Sequence, residues 1–336
     1  MDLYRIFKPV IYISRLFCLA PFTTVEDSGS TRYKFSTFWL FYSILGVCAS
    51  FISQIYVFWF AISISNAALY EAFSHVTRAA TWVASVVTQV LCLNNGKNGI
   101  RILDHVSVLD SEHSGARISY YRLYIVFIVH LICCIISLVA PNIMSFAAMD
   151  KSTVYIFKIV YCTAVYFMCF LVLLLSETQF IQFVLLLKYR FSVLNDTLIN
   201  FTVQSLYKTS LNHIIIAPVV DRSVNSSTSA LSSSVTALIS TLRKVCRHHD
   251  SLCDISESVN RTYSFQILLS VTLTCIEVLH IAYTFATELS RTLNFYSSQQ
   301  LFFMSALLWI FVVTAKDVLL VLVCNFASHE VSGLHL

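Results

Sequence analysis

Phe35–Tyr70 reads FSTFWLFYSILGVCASFISQIYVFWFAISISNAALY, thirty-six residues without one Asp, Glu, Lys or Arg. A helix of about 20 such residues crosses the hydrocarbon core of a bilayer. The stretch therefore holds one spanning helix, placed at 37–62, with room for a further turn outside. Apolar runs of the same kind recur along the chain. Glu71, His75 and Arg78 open a second helix at 73–93, which the turn signal Asn94-Asn95-Gly96 is expected to end. Leu123–Met149 is charge-free and forms a third, with Pro141 tolerable in a membrane helix. A fourth starts near Tyr155 and runs on past Glu177 to Leu187. A fifth occupies 263–289 and a sixth 301–324.

The composition agrees with that pattern. Of 336 residues 57% are apolar and 12% charged, and the mean hydropathy is +0.74. Soluble domains carry about 25% charged residues. A soluble enzyme, a disordered chain and a nucleic-acid-binding domain are excluded, and so is a single-pass anchor, because the apolar excess extends from residue 35 to 330. The fold class expected is all-α: a polytopic membrane helix bundle with six spans. No cleavable signal peptide is visible, since Arg15 interrupts the stretch Val10–Phe22.

Basic residues fix the expected orientation. Segments 1–34, 94–122 and 188–262 carry seventeen Lys and Arg, against two in the loops near 63–72, 147–154 and 290–300. The positive-inside rule then puts the amino terminus in the cytoplasm. The chain divides into a cytoplasmic segment 1–34, helices 1–4 over 35–187, a long cytoplasmic loop 188–262, helices 5 and 6 over 263–324, and a tail 325–336. Residues 6–16 suit a short amphipathic helix on the membrane face. Three glycosylation sequons, at Asn195, Asn225 and Asn260, fall in the cytoplasmic loop and are expected to stay bare.

Within the loop an amphipathic helix spans 230–260. Leu231, Val235, Leu238, Leu242 and Val245, then Leu252 and Val259, form a heptad stripe. Packing on the same subunit and association between subunits both fit such a stripe.

No catalytic set, cofactor motif or metal site is read. His248, His249, Asp250, Cys246 and Cys253 match no common structural-zinc spacing. A phosphate-binding glycine loop and an arginine-repeat voltage sensor are lacking, and no half of the chain repeats the other as in many secondary transporters. Most of the eleven cysteines sit in apolar runs, as small buried hydrophobes do.

Polar groups inside spans need a partner or water, so they are the candidate functional residues. Glu277, His280 and Tyr283 follow one another at intervals of three on helix 5. Lys158, Tyr161 and Tyr166 lie on helix 4. Lys316 and Asp317, on helix 6, fit snorkelling to the inner interface. Glu277 fits an interhelical hydrogen bond or ion pair as well as a water-facing cavity wall. Aromatic rings with a few hydroxyl, imidazole and carboxylate groups also suit a pocket for a small organic molecule.

Leu242-Arg243-Lys244, His249–Cys253, Val259-Asn260, Tyr263-Ser264 and Gln266–Leu269 resemble the segment before the fifth transmembrane helix of insect gustatory receptors. Phe7–Phe22, ending Leu19-Ala20-Pro21-Phe22, is similar to that family's amino-terminal helix, with Cys18 where a glycine is usual. The resemblance implies a ligand-gated, non-selective cation channel subunit for taste perception, in the plasma membrane of chemosensory neurons. It implies a homo- or hetero-tetramer with other gustatory receptor subunits, and a small-molecule tastant, sugar or bitter, bound in the outer half of the bundle. Carried onto this chain, Glu71, His75, Tyr161, Glu277, His280 and Tyr283 face or approach that pocket, and the stripe from Leu231 to Val245 joins subunits. The other readings are a G-protein-coupled-type receptor and a truncated, non-conducting or modulatory member. The first lacks Asp/Glu-Arg-Tyr after helix 3. The second arises because the family has seven spans, the last bearing Thr-Tyr and Gln-Phe and lining the pore. Here Cys324 and Glu330 precede the last residue, Leu336, so six spans of seven are expected and the chain alone is not expected to conduct.

Overall fold

The computed structural model describes residues 3–27, 30–64, 69–112, 153–216, 224–291 and 297–332, with four positions between 125 and 132. Among these residues there are six helices: α1 (Leu3–Leu16), α2 (Thr37–Ile64), α3 (Leu69–Glu112), α4 (Thr153–Ile216), α5 (Val224–Arg291) and α6 (Ser297–Ser332). Five are long and apolar enough to cross a membrane, all but α1. This corrects the expected six spans of seven. Leu123–Met149, the third expected span, lies outside the described residues apart from helical positions 125, 128, 129 and 132. The molecule is a multi-pass membrane protein built on an α-helical bundle.

The helices outrun their expected bounds. α3 passes through Asn94-Asn95-Gly96 to Glu112 without a break. Tertiary contacts account for this: Asn95 Nδ2 donates to the Thr262 carbonyl at 3.2 Å, and Gly96 lies against Phe22 and Pro21. A Cβ at Gly96 would stand 3.1 Å from the Phe22 ring, so glycine permits the approach. The amphipathic segment expected at 230–260 is continuous with the fifth span in a single 68-residue helix, α5.

The chain forms two compact units. The first comprises Met1–Gln182 with Val259–Leu322, the second Phe183–Ser258 with Val323–Leu336.

In the first unit, α1 packs into the bundle and not along the membrane face as its pattern suggested. Val10 and Leu19 are buried with Cys92 of α3 and with Val172 and Leu175 of α4. The helix ends in a Schellman motif, in which Leu19 N donates to Ser14 O at 2.8 Å and Cys18 N to Arg15 O at 3.0 Å. This motif needs a left-handed residue just after the helix, and Cys18 supplies it at φ 62°. A glycine would adopt that conformation at no steric cost. The chain then turns into a hairpin absent from the all-α expectation. Strands β1 (Phe22–Asp27) and β2 (Ser30–Phe35) pair antiparallel, Phe22 with Phe35 and Val25 with Arg32. Their Thr, Val, Tyr and Phe residues suit a pleated surface.

Burial identifies the central helix of this architecture. In α4, 83% of the most apolar stretch is buried, against 11% in α2. α2 instead exposes Phe38, Phe41, Ile52 and Trp59.

In the second unit Phe191 packs edge-on against His249, with ring centroids 5.8 Å apart. Lys188 lies over the Phe326 ring at 4.8 Å, and Asn195 Nδ2 donates to the Glu330 carbonyl at 3.0 Å. Val245, Leu252 and Ile255 are buried here.

Candidate functional site

The interior of the first unit carries polar groups among its apolar clusters. On α5 the buried residues Gln266, Ser270, Thr274 and Glu277 recur at intervals of four, four and three. That is one face of a 3.6-residue helix, and it carries the polar groups inward. Thr81 of α3 meets it, as do Tyr166, Ser176 and Glu177 of α4, while Thr77, Ser85 and Thr88 of α3 are buried as well. A polar group withdrawn from both water and lipid headgroups has to find its partners inside the bundle.

Two clusters result. In the first, Glu277 Oε1 accepts a hydrogen bond from the Tyr166 hydroxyl and another from Thr81 Oγ1 at 3.1 Å. Thr81 Oγ1 also lies 3.0 Å from the Thr77 carbonyl oxygen, so its single proton serves one acceptor at a time. This ties α5 to both α3 and α4 through one carboxylate that is 3% exposed. Phe170, packed on Trp309 at 5.1 Å between ring centroids, is an apolar neighbour on the same stretch of α4.

In the second cluster, Lys316 Nζ of α6 donates to Glu177 Oε1 at 2.6 Å, Asp317 Oδ1 at 3.0 Å and Ser270 Oγ at 3.2 Å. Ser270 in turn donates to Glu177. An ammonium has three protons, and all three are used. Lys316 is thus a buried member of an ion-pair network, not a snorkelling side chain.

Between the clusters lies a small cavity. Phe170, Leu173, Leu174 and Leu273 line it together with Thr81, Ser270, Thr274, Glu277 and Lys316, and the surface it presents is almost wholly apolar. The centre of a water molecule can occupy about 10 Å³ of it. That space excludes an organic ligand.

Of the sequence-derived candidates, Glu277 lies in the first cluster. His280 is half-buried one turn along, and Tyr283 is exposed. Each step of three residues turns about 60° short of a full circle, so 277 and 283 diverge by about 120°. The side chains of Glu71, His75 and Tyr161 lie outside the described residues. Leu238 and Leu242 are exposed and Val245 is buried, while the Leu231 and Val235 side chains lie outside the described residues. Among the described residues no three His, Cys, Asp or Glu side chains group as metal ligands do.

Tyr166 was among the polar groups noted on the fourth helix, but Thr81, Glu177 and Ser270 were not among the candidates. Only Glu177 carried a signal, as the one acidic residue between two apolar runs. A family model described as 7tm Chemosensory receptor matches residues 7–336. No curated protein matches the chain.

Proposed function

The chain belongs to the 7tm chemosensory receptor family, and from that premise we propose that it is a gustatory receptor, a subunit of a ligand-gated, non-selective cation channel. Its ligand is a small organic tastant, and it works in the plasma membrane of chemosensory neurons, as a homo- or hetero-tetramer with its amino terminus in the cytoplasm. The observation that carries this reading is the carboxylate of Glu277, enclosed among spanning helices and held by Tyr166 and Thr81. An ionisable group at such a position marks a functional site by default.

The mechanism follows from what a ligand would replace. Its hydroxyl or amine groups can take the place of Tyr166 and Thr81 at Glu277, which releases α3 and α4 from α5. A ligand shifts a conformational equilibrium only as far as it binds the two states differently. Exchange of these bonds is such a difference. The closed cluster has no room for an organic ligand, so ligand entry and helix separation are the same event. The exposed Leu238, Ile239 and Leu242 of α5 supply apolar surface for a neighbouring subunit.

The test is whole-cell recording from cells expressing the chain, alone and with candidate partner subunits, against panels of sugars and bitter compounds. A cation current that persists when G proteins are inhibited supports the channel. Tyr166→Phe and Thr81→Val should each move the half-maximal dose about 3- to 10-fold, the worth of one hydrogen bond. Responses that vanish under G-protein inhibition, or no current with any partner despite surface delivery, would overturn the proposal.

A further inference from the structure

We propose that Arg15 and Lys8 of α1, with the rings of Tyr12 and Trp39, form a site for one anionic phospholipid, whose headgroup phosphate the Arg15 guanidinium grips.

Arg15 is 5% exposed, and its Nε and Nη2 have no hydrogen-bond partner among the described residues. The guanidinium lies 4.9 Å from the centroid of the Tyr12 ring and 5.4 Å from that of Trp39. A ring face attracts the positive charge but offers no oxygen to the N–H groups. Nε and Nη2 form the edge of a guanidinium that takes two oxygens of a phosphate or carboxylate side by side. A buried charge needs a partner, and the partner this edge calls for is an anion. Lys8 adds a second cation. It stands four residues before Tyr12 on the same face of α1, with its Nζ 5.9 Å from that ring.

The surroundings select a lipid over a free anion. Trp39 stands in the first turn of the span that begins at Thr37, and it meets Phe38 and Tyr42 edge-on with ring centroids 5.6 and 5.5 Å apart. Rings at the end of a span sit at headgroup level. The Tyr42 hydroxyl lies 3.5 Å from the Leu16 carbonyl oxygen, which joins the end of α1 to this rim. Tyr12 and Leu16 of α1 are exposed, as are Phe38, Phe41 and Leu45 of α2, and they offer acyl chains an apolar wall beside the two cations. Because Tyr12 is 45% exposed, the ring over the guanidinium has open space to turn into as the phosphate enters. A choline headgroup would set its own cation beside Lys8, so the site favours a headgroup of net negative charge.

The test uses the full chain in nanodiscs of phosphatidylcholine, with and without phosphatidylglycerol. Thermal unfolding is measured, and lipid retained on transfer to detergent is counted by native mass spectrometry. Phosphatidylglycerol should raise Tm by about 2 °C and leave one retained molecule per chain. Arg15→Gln should lose both effects. Arg101→Gln removes the same charge from an exposed position on α3 and should keep them. Equal Tm in the two lipid mixtures overturns the proposal. So does a loss with Arg101→Gln as large as with Arg15→Gln, which would reveal a general attraction to a basic surface. Inorganic phosphate added to phosphatidylcholine discs should not reproduce the shift, and if it does, a free anion and not a lipid fills the site. If Arg15→Gln does not fold, Lys8→Gln takes its place, and unchanged retention in that variant refutes the site. Neither readout requires a tastant or a current, so the receptor assignment can fail without touching this one.

Discussion

Cys18 is held in a backbone conformation that glycine adopts freely, and its side chain is the reason a second glycine is needed. A Cβ placed on Gly46 of α2 would overlap the Cys18 Sγ. Gly46→Ala should therefore cost about 1–3 kcal/mol, the range for overpacking a filled site. The cost should largely disappear in a Cys18→Gly background, and thermal unfolding of the two single variants and the double measures it. Equal losses from Gly46→Ala in both backgrounds would show that another contact limits the site. Burial also pushes the Cys18 thiol up from its usual range, so the protonated form prevails at neutral pH. Because only the thiolate reacts, maleimide labelling of Cys18 should stay low until the pH exceeds that of an ordinary thiol, whereas exposed Cys246 labels readily. At Lys316 the argument is electrostatic. Lys316→Met leaves Glu177 buried without its cation and should cost about 3–5 kcal/mol, and adding Glu177→Gln should recover part of the loss.

Helix α3 shows how tertiary contacts override a local turn signal, and its two described interior glycines separate the causes. Gly99 has nothing near its missing Cβ, so Gly99→Ala should stabilise by about 1 kcal/mol through helix propensity alone. Gly96 faces the Phe22 ring, so Gly96→Ala should gain less or lose. A gain at Gly96 equal to that at Gly99 would show that the hairpin yields to the added methyl. The apolar runs made the spans legible, because a charge is so expensive in lipid that its absence over twenty residues is informative. Their ends were less legible. Asn94-Asn95-Gly96 reads as a turn until the Thr262 carbonyl and the Phe22 ring are known to meet it. The hairpin at 22–35 escaped because its few Thr, Val and Tyr residues are mixed with charges and fall in a stretch read only as part of the cytoplasmic amino-terminal segment. Glu277 and Lys316 stood out as charges in apolar runs. Tyr166 was noted with them, but Thr81 and Ser270 were not, since Ser and Thr are ordinary residues in membrane helices and only geometry distinguishes Ser270 from Thr272.

Taken whole, the molecule inverts the distribution of a soluble protein: Phe38, Ile52, Trp59 and Phe311 are exposed while Glu277, Gln266 and Thr81 are buried. A bilayer accounts for the exposed rings of the spanning segments. It does not account for the apolar patch in the second unit, where Leu238, Ile239 and Leu242 are exposed beside the equally exposed Arg243, Lys244 and Arg247. Three basic side chains within five residues favour water for this surface, and under the proposed assembly the exposed leucines are where a neighbouring subunit would pack. The same helix supplies its own control, because Val245 is only one turn from Leu242 and is buried within its subunit. Leu238→Glu with Leu242→Glu should therefore leave the fold intact and lower the oligomeric state, read as particle mass in nanodiscs or detergent. Val245→Glu should instead reduce the yield of folded protein, since it buries an unpaired charge. An unchanged mass for the double variant would mean that this surface joins no subunits. An unfolded double variant would mean that the patch belongs to the subunit's own core.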